Sequence, residues 1–142
     1  MINDFTGEFY FLSNFYPIII EYEGFSYYSV EAAYQAAKTR NLLQRRPFTE
    51  MDARKAKQKG KQLKVREDWT EVKLGIMREL LQLKFQDKEL QGSLVATFPH
   101  ELVEGNVWYD FYWGICNEKG ENQLGKLLME VRDSNILHKE PA

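Results

Sequence analysis

Hydrophobic residues fall in short aromatic and β-branched runs over the first thirty positions and recur at helical spacing after them. Phe9-Tyr10-Phe11-Leu12 and Ile18-Ile19-Ile20-Glu21-Tyr22 have strand composition. Ser13-Asn14-Phe15-Tyr16-Pro17 between them reads as a turn, and Glu23-Gly24 reverses the chain into Phe25-Ser26-Tyr27-Tyr28. These segments predict a small amino-terminal antiparallel sheet.

From Ser29 the pattern is helical. Ser29 is a candidate N-cap for an alanine-rich helix, Glu31 to Lys38, that can pack closely and so is expected at the centre. Thr49 with Asp52 marks a second helix start, and Gly60 its end. Asp68 with Glu71 opens the most regular helix, with Val72, Ile76, Leu80 and Leu83 as its apolar stripe. A short helix is expected from Leu90 to Ala96. The last begins near Asn122 and buries Leu124, Leu127, Leu128 and Val131. The fold class that follows is α+β, a mostly helical single domain over residues 1–142.

Composition sharpens this picture. Aromatic residues make up 14% of the chain, enough to fill a core or to line a pocket that stacks flat rings. The net charge of −2 argues against a general nucleic-acid coat, which needs a positive excess. The single cysteine, Cys116, excludes an intramolecular disulfide. The longest aliphatic run is Ile18-Ile19-Ile20, far short of a membrane span, and Met1 to Phe5 shows no leader. A cytoplasmic protein is expected.

Metal and nucleophile chemistry find little support. His100 and His138 stand far apart, neither at ligand spacing with Cys116 nor inside a nucleophile motif. No glycine-rich phosphate loop is present. Neither a metal nor a cofactor is expected, so carboxylates and aromatics would have to carry any reaction.

Glu31 is the first candidate. It sits in the first turn of its helix, where the dipole favours an anion, and Gln35 and Lys38 follow on the same face. A solvated polar face is the competing reading. The second cluster is Trp108-Tyr109-Asp110-Phe111-Tyr112-Trp113-Gly114, in which Asp110 is either a desolvated functional acid or a turn-capping residue in a core strand. Trp69 beside Asp68 is a helix staple or a pocket wall. Between Arg54 and Arg66 lie seven basic residues, Arg54, Lys55, Lys57, Lys59, Lys61, Lys64 and Arg66, and no acidic one. That run is a solvated face or a phosphate contact.

In this order the segments resemble the YbiA-like, or NADAR, family. The matching blocks are residues 11–15, 29–38, 69–73, 94–97, 110–114 and 120–132. The resemblance implies a metal-free N-glycosidase acting on a small nucleotide-like substrate. Candidate substrates are a phosphorylated ribosylamino-pyrimidine intermediate of riboflavin synthesis and an ADP-ribosylated nucleobase, the latter bringing modified nucleic acid in as a partner. The family's catalytic glutamate matches Glu31, and its functional tryptophans and aspartate match Trp69, Trp113 and Asp110. Asn14, Tyr34, Gln35, Lys38, Lys61 and Asn122 are further candidates for substrate contacts. Two departures stand out: Gly60-Lys61 replaces a common Gly-Arg, and Ile115-Cys116-Asn117-Glu118 replaces a glycine-rich stretch. A module that binds ADP-ribose without turnover is the alternative, although binding alone needs no pair of acids.

Overall fold

A computed structural model describes residues 1–138, and the side chains as far as residue 136. The chain divides into two compact units, one formed by Asn14–Lys84 and the other by Met1–Ser13 with the chain from Phe85 onward.

The Asn14–Lys84 unit opens on a hairpin of β1 (Ile20–Tyr22) and β2 (Phe25–Tyr27), antiparallel, with Ile20 opposite Tyr27 and Tyr22 opposite Phe25. Ile20, Tyr22 and Tyr27 turn inward and Glu21 and Ser26 outward, as the two-residue repeat of a strand requires. Glu23 and Gly24 at the turn both have positive φ, 47° and 90°, the condition for a tight hairpin. The non-glycine member is tied down by an ion pair between Glu23 Oε1 and Arg45 Nη1 at 2.7 Å.

Helix α1 (Val30–Ala36) follows, and Ser29 Oγ accepts the Ala32 N–H at 3.0 Å as the sequence predicts. Every residue of α1 is buried. Its alanines allow close approach by α3 (Ala53–Gly60), which offers Ala53, Ala56 and Gly60 as its own buried face. Asp52 rather than Thr49 caps α3, accepting the Lys55 N–H at 2.8 Å. Thr49 lies in a 3₁₀ segment, Arg46–Glu50, whose Phe48 is fully buried. That segment and the short α2 (Leu42–Arg45) leave no apolar period in the sequence.

Helix α4 (Trp69–Lys84) packs on α1 and β1. Its buried stripe is Ile76, Met77, Leu80, Leu81 and Lys84, so the expected stripe is turned on the helix surface; Val72 and Leu83 are only half-buried. Lys84 ends the helix fully buried, its ammonium 5.6 Å from the Tyr16 ring centre.

In the other unit, Phe9-Tyr10-Phe11-Leu12 is not a strand. It belongs to a 3₁₀ helix, Gly7–Leu12, entered through Gly7 at φ 57° and closed by Ser13 N–H to Tyr10 O at 2.9 Å. Aromatic composition gave this segment its strand character, but no partner strand pairs with it among the described residues, and its backbone bonds locally instead. Helices α5 (Lys88–Val95) and α6 (Gln123–His138) pack together, with Leu124, Leu127, Leu128 and Val131 buried as expected. Arg132 is buried beside them, donating to His100 O at 2.6 Å and to Thr97 Oγ1 at 3.2 Å. The architecture is α+β, helical apart from one two-stranded antiparallel sheet among the described residues.

Candidate active site

The Glu31 stripe is not a solvated face. Glu31 is 8% exposed and Gln35 5%, both on the fully buried α1. Gln35 Nε2 donates to Glu31 Oε2 at 2.5 Å, one helical turn apart. The opposite amide orientation would set two oxygens against each other. Gln35 Oε1 is buried without a hydrogen-bond partner and sits against Gly60 of α3. A β-carbon at position 60 would overlap that oxygen.

Lys38 completes the stripe and is half-buried. Burial holds its ammonium below the usual lysine range; Glu31 works in the other direction, and Lys57, Lys61 and Lys73 add repulsion. Lys38 Nζ lies 5.8 Å from the Tyr34 ring centre. Tyr34 in turn packs on Trp69 with ring centres 5.1 Å apart and a tilt of 54°. Trp69, the first residue of α4, thus packs against α1 through Tyr34. Asn14 enters through the backbone: its carbonyl accepts the Glu31 N–H at 3.0 Å. Its side-chain nitrogen approaches Met77 Sδ at 3.6 Å, and its Oδ1 is buried without a partner.

One unit thus gathers Asn14, Glu31, Tyr34, Gln35, Lys38 and Trp69. Lys61, one residue past Gly60, is exposed, and so are Arg54, Lys55, Lys59 and Lys64 of the basic run. Lys57 is half-buried over the Phe15 ring at 5.8 Å, a pairing for which the sequence carries no signal.

Asp110, Trp113 and Asn122 lie in the other unit. Residues 106–113 form a loop, not a core strand, and Val107, Trp108, Tyr109 and Phe111 are exposed. Asp110 Oδ1 accepts the Tyr112 and Trp113 N–H groups at 3.2 and 2.9 Å, the turn-capping arrangement. Asn106 braces the same turn: its Oδ1 accepts the Asp110 N–H at 3.1 Å and its Nδ2 donates to Asp110 O at 3.0 Å. Trp113 meets Tyr112 edge-on at 4.8 Å. Both ends of the Asn122 amide are spent on main chain, accepting from Glu104 N at 2.9 Å and donating to Leu102 O at 3.0 Å. Asn122 holds its loop together through those bonds.

Among the described residues no three His, Cys, Asp or Glu side chains converge as metal ligands. No helix among them is long and apolar enough to cross a membrane.

The chain is 37% identical over 144 aligned positions to N-glycosidase YbiA of Shigella boydii, covering 96% of this chain and 86% of that one. It is 35% identical over 128 positions to a riboflavin biosynthesis protein of Vibrio vulnificus, covering 87% of this chain and 35% of that protein. The NMR structure of Escherichia coli YbiA superimposes with a TM-score of 0.84 at 31% identity, over 98% of this chain and 89% of that one. A family model described as NADAR domain matches residues 3–134, so that blocks read singly as helix, loop and aromatic run fall into one continuous match, and the chain belongs to the NADAR family.

Proposed function

We propose that this NADAR domain hydrolyses the ribosyl C–N bond of a nucleotide-like substrate, with residues 1–142 acting as one functional domain. Glycosidase chemistry follows from the family and from relatives named N-glycosidase at more than a third identity. The observation that carries the residue assignment is the buried Glu31 carboxylate, oriented by Gln35 on a helix whose Tyr34 packs on Trp69.

Cleavage of a ribosyl C–N bond builds positive charge on the sugar in the transition state, as in glycoside hydrolysis. A fixed carboxylate stabilises that charge more effectively in a desolvated site than in water. Glu31 takes a proton from the attacking water and stands as charge partner to the ribosyl cation. Water oxygen bonds to the ribose carbon as the C–N bond breaks; the departing nitrogen takes up a proton from solvent, and Glu31 releases to solvent the one it took. The Tyr34–Trp69 pair offers a face on which a base or ribose can stack. Lys38 and Asn14 supply polar contacts, and the family resemblance gives Asp110 and Trp113 functional roles of their own.

The substrate is a phosphorylated ribosylamino-pyrimidine or an ADP-ribosylated nucleobase. A relative named for riboflavin biosynthesis supports the first. Incubation with a panel of both kinds in water labelled with oxygen-18, followed by mass spectrometry, tests the proposal. Released base with label in the ribose is the expected result. Label in the base means attack on the ring, and binding without release means an ADP-ribose reader; either outcome rejects hydrolysis at the ribosyl carbon.

A further inference from the structure

At the carboxyl-terminal end of α1 the chain forms a cleft of about 340 Å³ lined by Glu23, Arg40, Leu42, Arg45 and Arg66. Two of the arginines are built into the helix end. Arg45 Nε donates to Thr39 O at 2.7 Å, and Arg66 Nη1 donates to Ala37 O at 3.4 Å. The Arg66 main-chain N–H reaches Lys38 O at 2.8 Å. The helix end therefore fixes two guanidinium groups at the cleft wall.

The acids present do not balance them. Asp68 serves two arginines, with Arg66 Nε at 2.7 Å and Arg40 Nη2 at 2.6 Å. Glu23 serves Arg45 alone. Three guanidinium groups against two carboxylates leave one positive charge. Both acids hold their partners from accessible positions, Glu23 at 53% and Asp68 at 26% side-chain exposure, while the Arg45 side chain is 4% exposed. Donors also exceed acceptors. Each guanidinium carries five N–H groups in a planar fork; among the described residues Arg45 Nη2 and Arg40 Nη1 have no protein acceptor.

We infer that this arginine cleft is a binding site for a phosphate monoester, held by Arg40 and Arg45. Guanidinium forks match phosphate oxygens in pairs, and an anion there completes the buried Arg45 without displacing its helix-end contact. Glu23 beside the fork holds the cleft to a single net positive charge, which favours a phosphate monoester over the more highly charged pyrophosphate. Leu42 supplies an apolar edge. The site makes no use of the Glu31 carboxylate, so it stands or falls apart from the catalytic reading.

Isothermal titration of the full chain with inorganic phosphate at constant ionic strength tests it. The expected result is saturable binding at one site, weakened at least tenfold by Arg45→Lys and several-fold by Arg40→Ala, and unchanged in Glu31→Gln. Arg40 is 68% exposed, so Arg40→Ala carries the test even where Arg45→Lys disturbs the helix end. Equal affinity in the parent and Arg40→Ala overturns the proposal, as does an absence of saturable binding. The source of the phosphate follows from Michaelis constants for an N-riboside with and without its phosphate. A rise in Arg40→Ala confined to the phosphorylated form assigns the cleft to substrate. Loss of phosphate binding with both constants unchanged assigns it to free phosphate. Both of these results uphold the site.

Discussion

The amide oxygen of Gln35 occupies the space in which any side chain at position 60 would place its β-carbon, so Gly60 on α3 determines how Gln35 presents its nitrogen to Glu31. Two helices thereby set one carboxylate. Gly60→Ala is expected to destabilise the fold by roughly 1–3 kcal/mol through overpacking, despite the better helix propensity of alanine. In a Gln35→Ala background the overlapping amide is gone, and only a 3.2 Å approach to the β-carbon of residue 35 remains. The cost of Gly60→Ala should then fall by at least about 1 kcal/mol, a coupling that a double-mutant cycle in urea measures. Strict additivity would mean that Gly60 does not act through Gln35.

Glu31→Gln isolates the charge of the carboxylate. The amide is nearly isosteric, and its oxygen can still accept from Gln35 Nε2, so the thermal midpoint should hold. Turnover should drop by about 10²–10⁴, the range of a lost general base, with the Michaelis constant changing little. A variant that retains more than a tenth of parental turnover would remove Glu31 from the chemistry.

Much of the Glu31 neighbourhood was legible because its signals are local. Ser29 as a cap, the alanines of α1 and the Gly60 stop are written within single helical turns. The apolar positions of α6 likewise fix its buried face. What could not be read depends on partners distant in sequence. Phe9 to Leu12 has strand composition but no strand to pair with among the described residues. Glu23 tolerates a positive φ with Arg45, 22 residues on, holding its carboxylate. Gly60 looked like a helix stop and is also the space that Gln35 fills. A spacing signal for this exists in Ala53, Ala56 and Gly60, three small residues on one face of α3. The arginine cleft has no such signal, since Arg40, Arg45 and Arg66 meet only after α1, α2 and the start of α4 are in place.

Trp69 is expected to contribute to binding rather than to the chemical step. Its ring stands 5.1 Å from Tyr34, and a stacked ligand ring would share that wall. An aromatic contact of this kind is worth about 0.5–1.5 kcal/mol. Trp69→Ala should therefore raise the Michaelis constant roughly two- to tenfold while kcat stays close to parental, and Trp69→Phe should recover most of the loss. Ligand should also quench tryptophan fluorescence in the parent more than in Trp69→Phe. If Trp69→Ala binds ligand as tightly as the parent, the wall has no part in recognition.

Stability should climb from neutral to alkaline pH and turn over near pH 10, with Lys84 responsible for most of the climb. Burial lowers the Lys84 ammonium from 10.5 to about 7 in the folded chain. Between those values the unfolded chain binds a proton that the folded chain does not, so unfolding is favoured at the lower end and stability rises with pH. The rise is at most about 1.4 kcal/mol per pH unit across that window. Lys38, also lowered by burial, adds in the same direction. Tyr22 and Tyr27 have the opposite sign. Burial raises both to about 12, so above pH 10 the folded chain keeps protons that the unfolded chain has lost, and stability falls as pH passes toward 12. Urea midpoints taken at intervals from pH 7 to 11 check this directly. Lys84→Met should be more stable than the parent at pH 7 and nearly flat up to pH 10, because methionine fills the buried volume with no proton to lose. A parental slope that survives unchanged in Lys84→Met would show that Lys84 stays charged in the folded chain, held by the Tyr16 ring 5.6 Å away and its other neighbours.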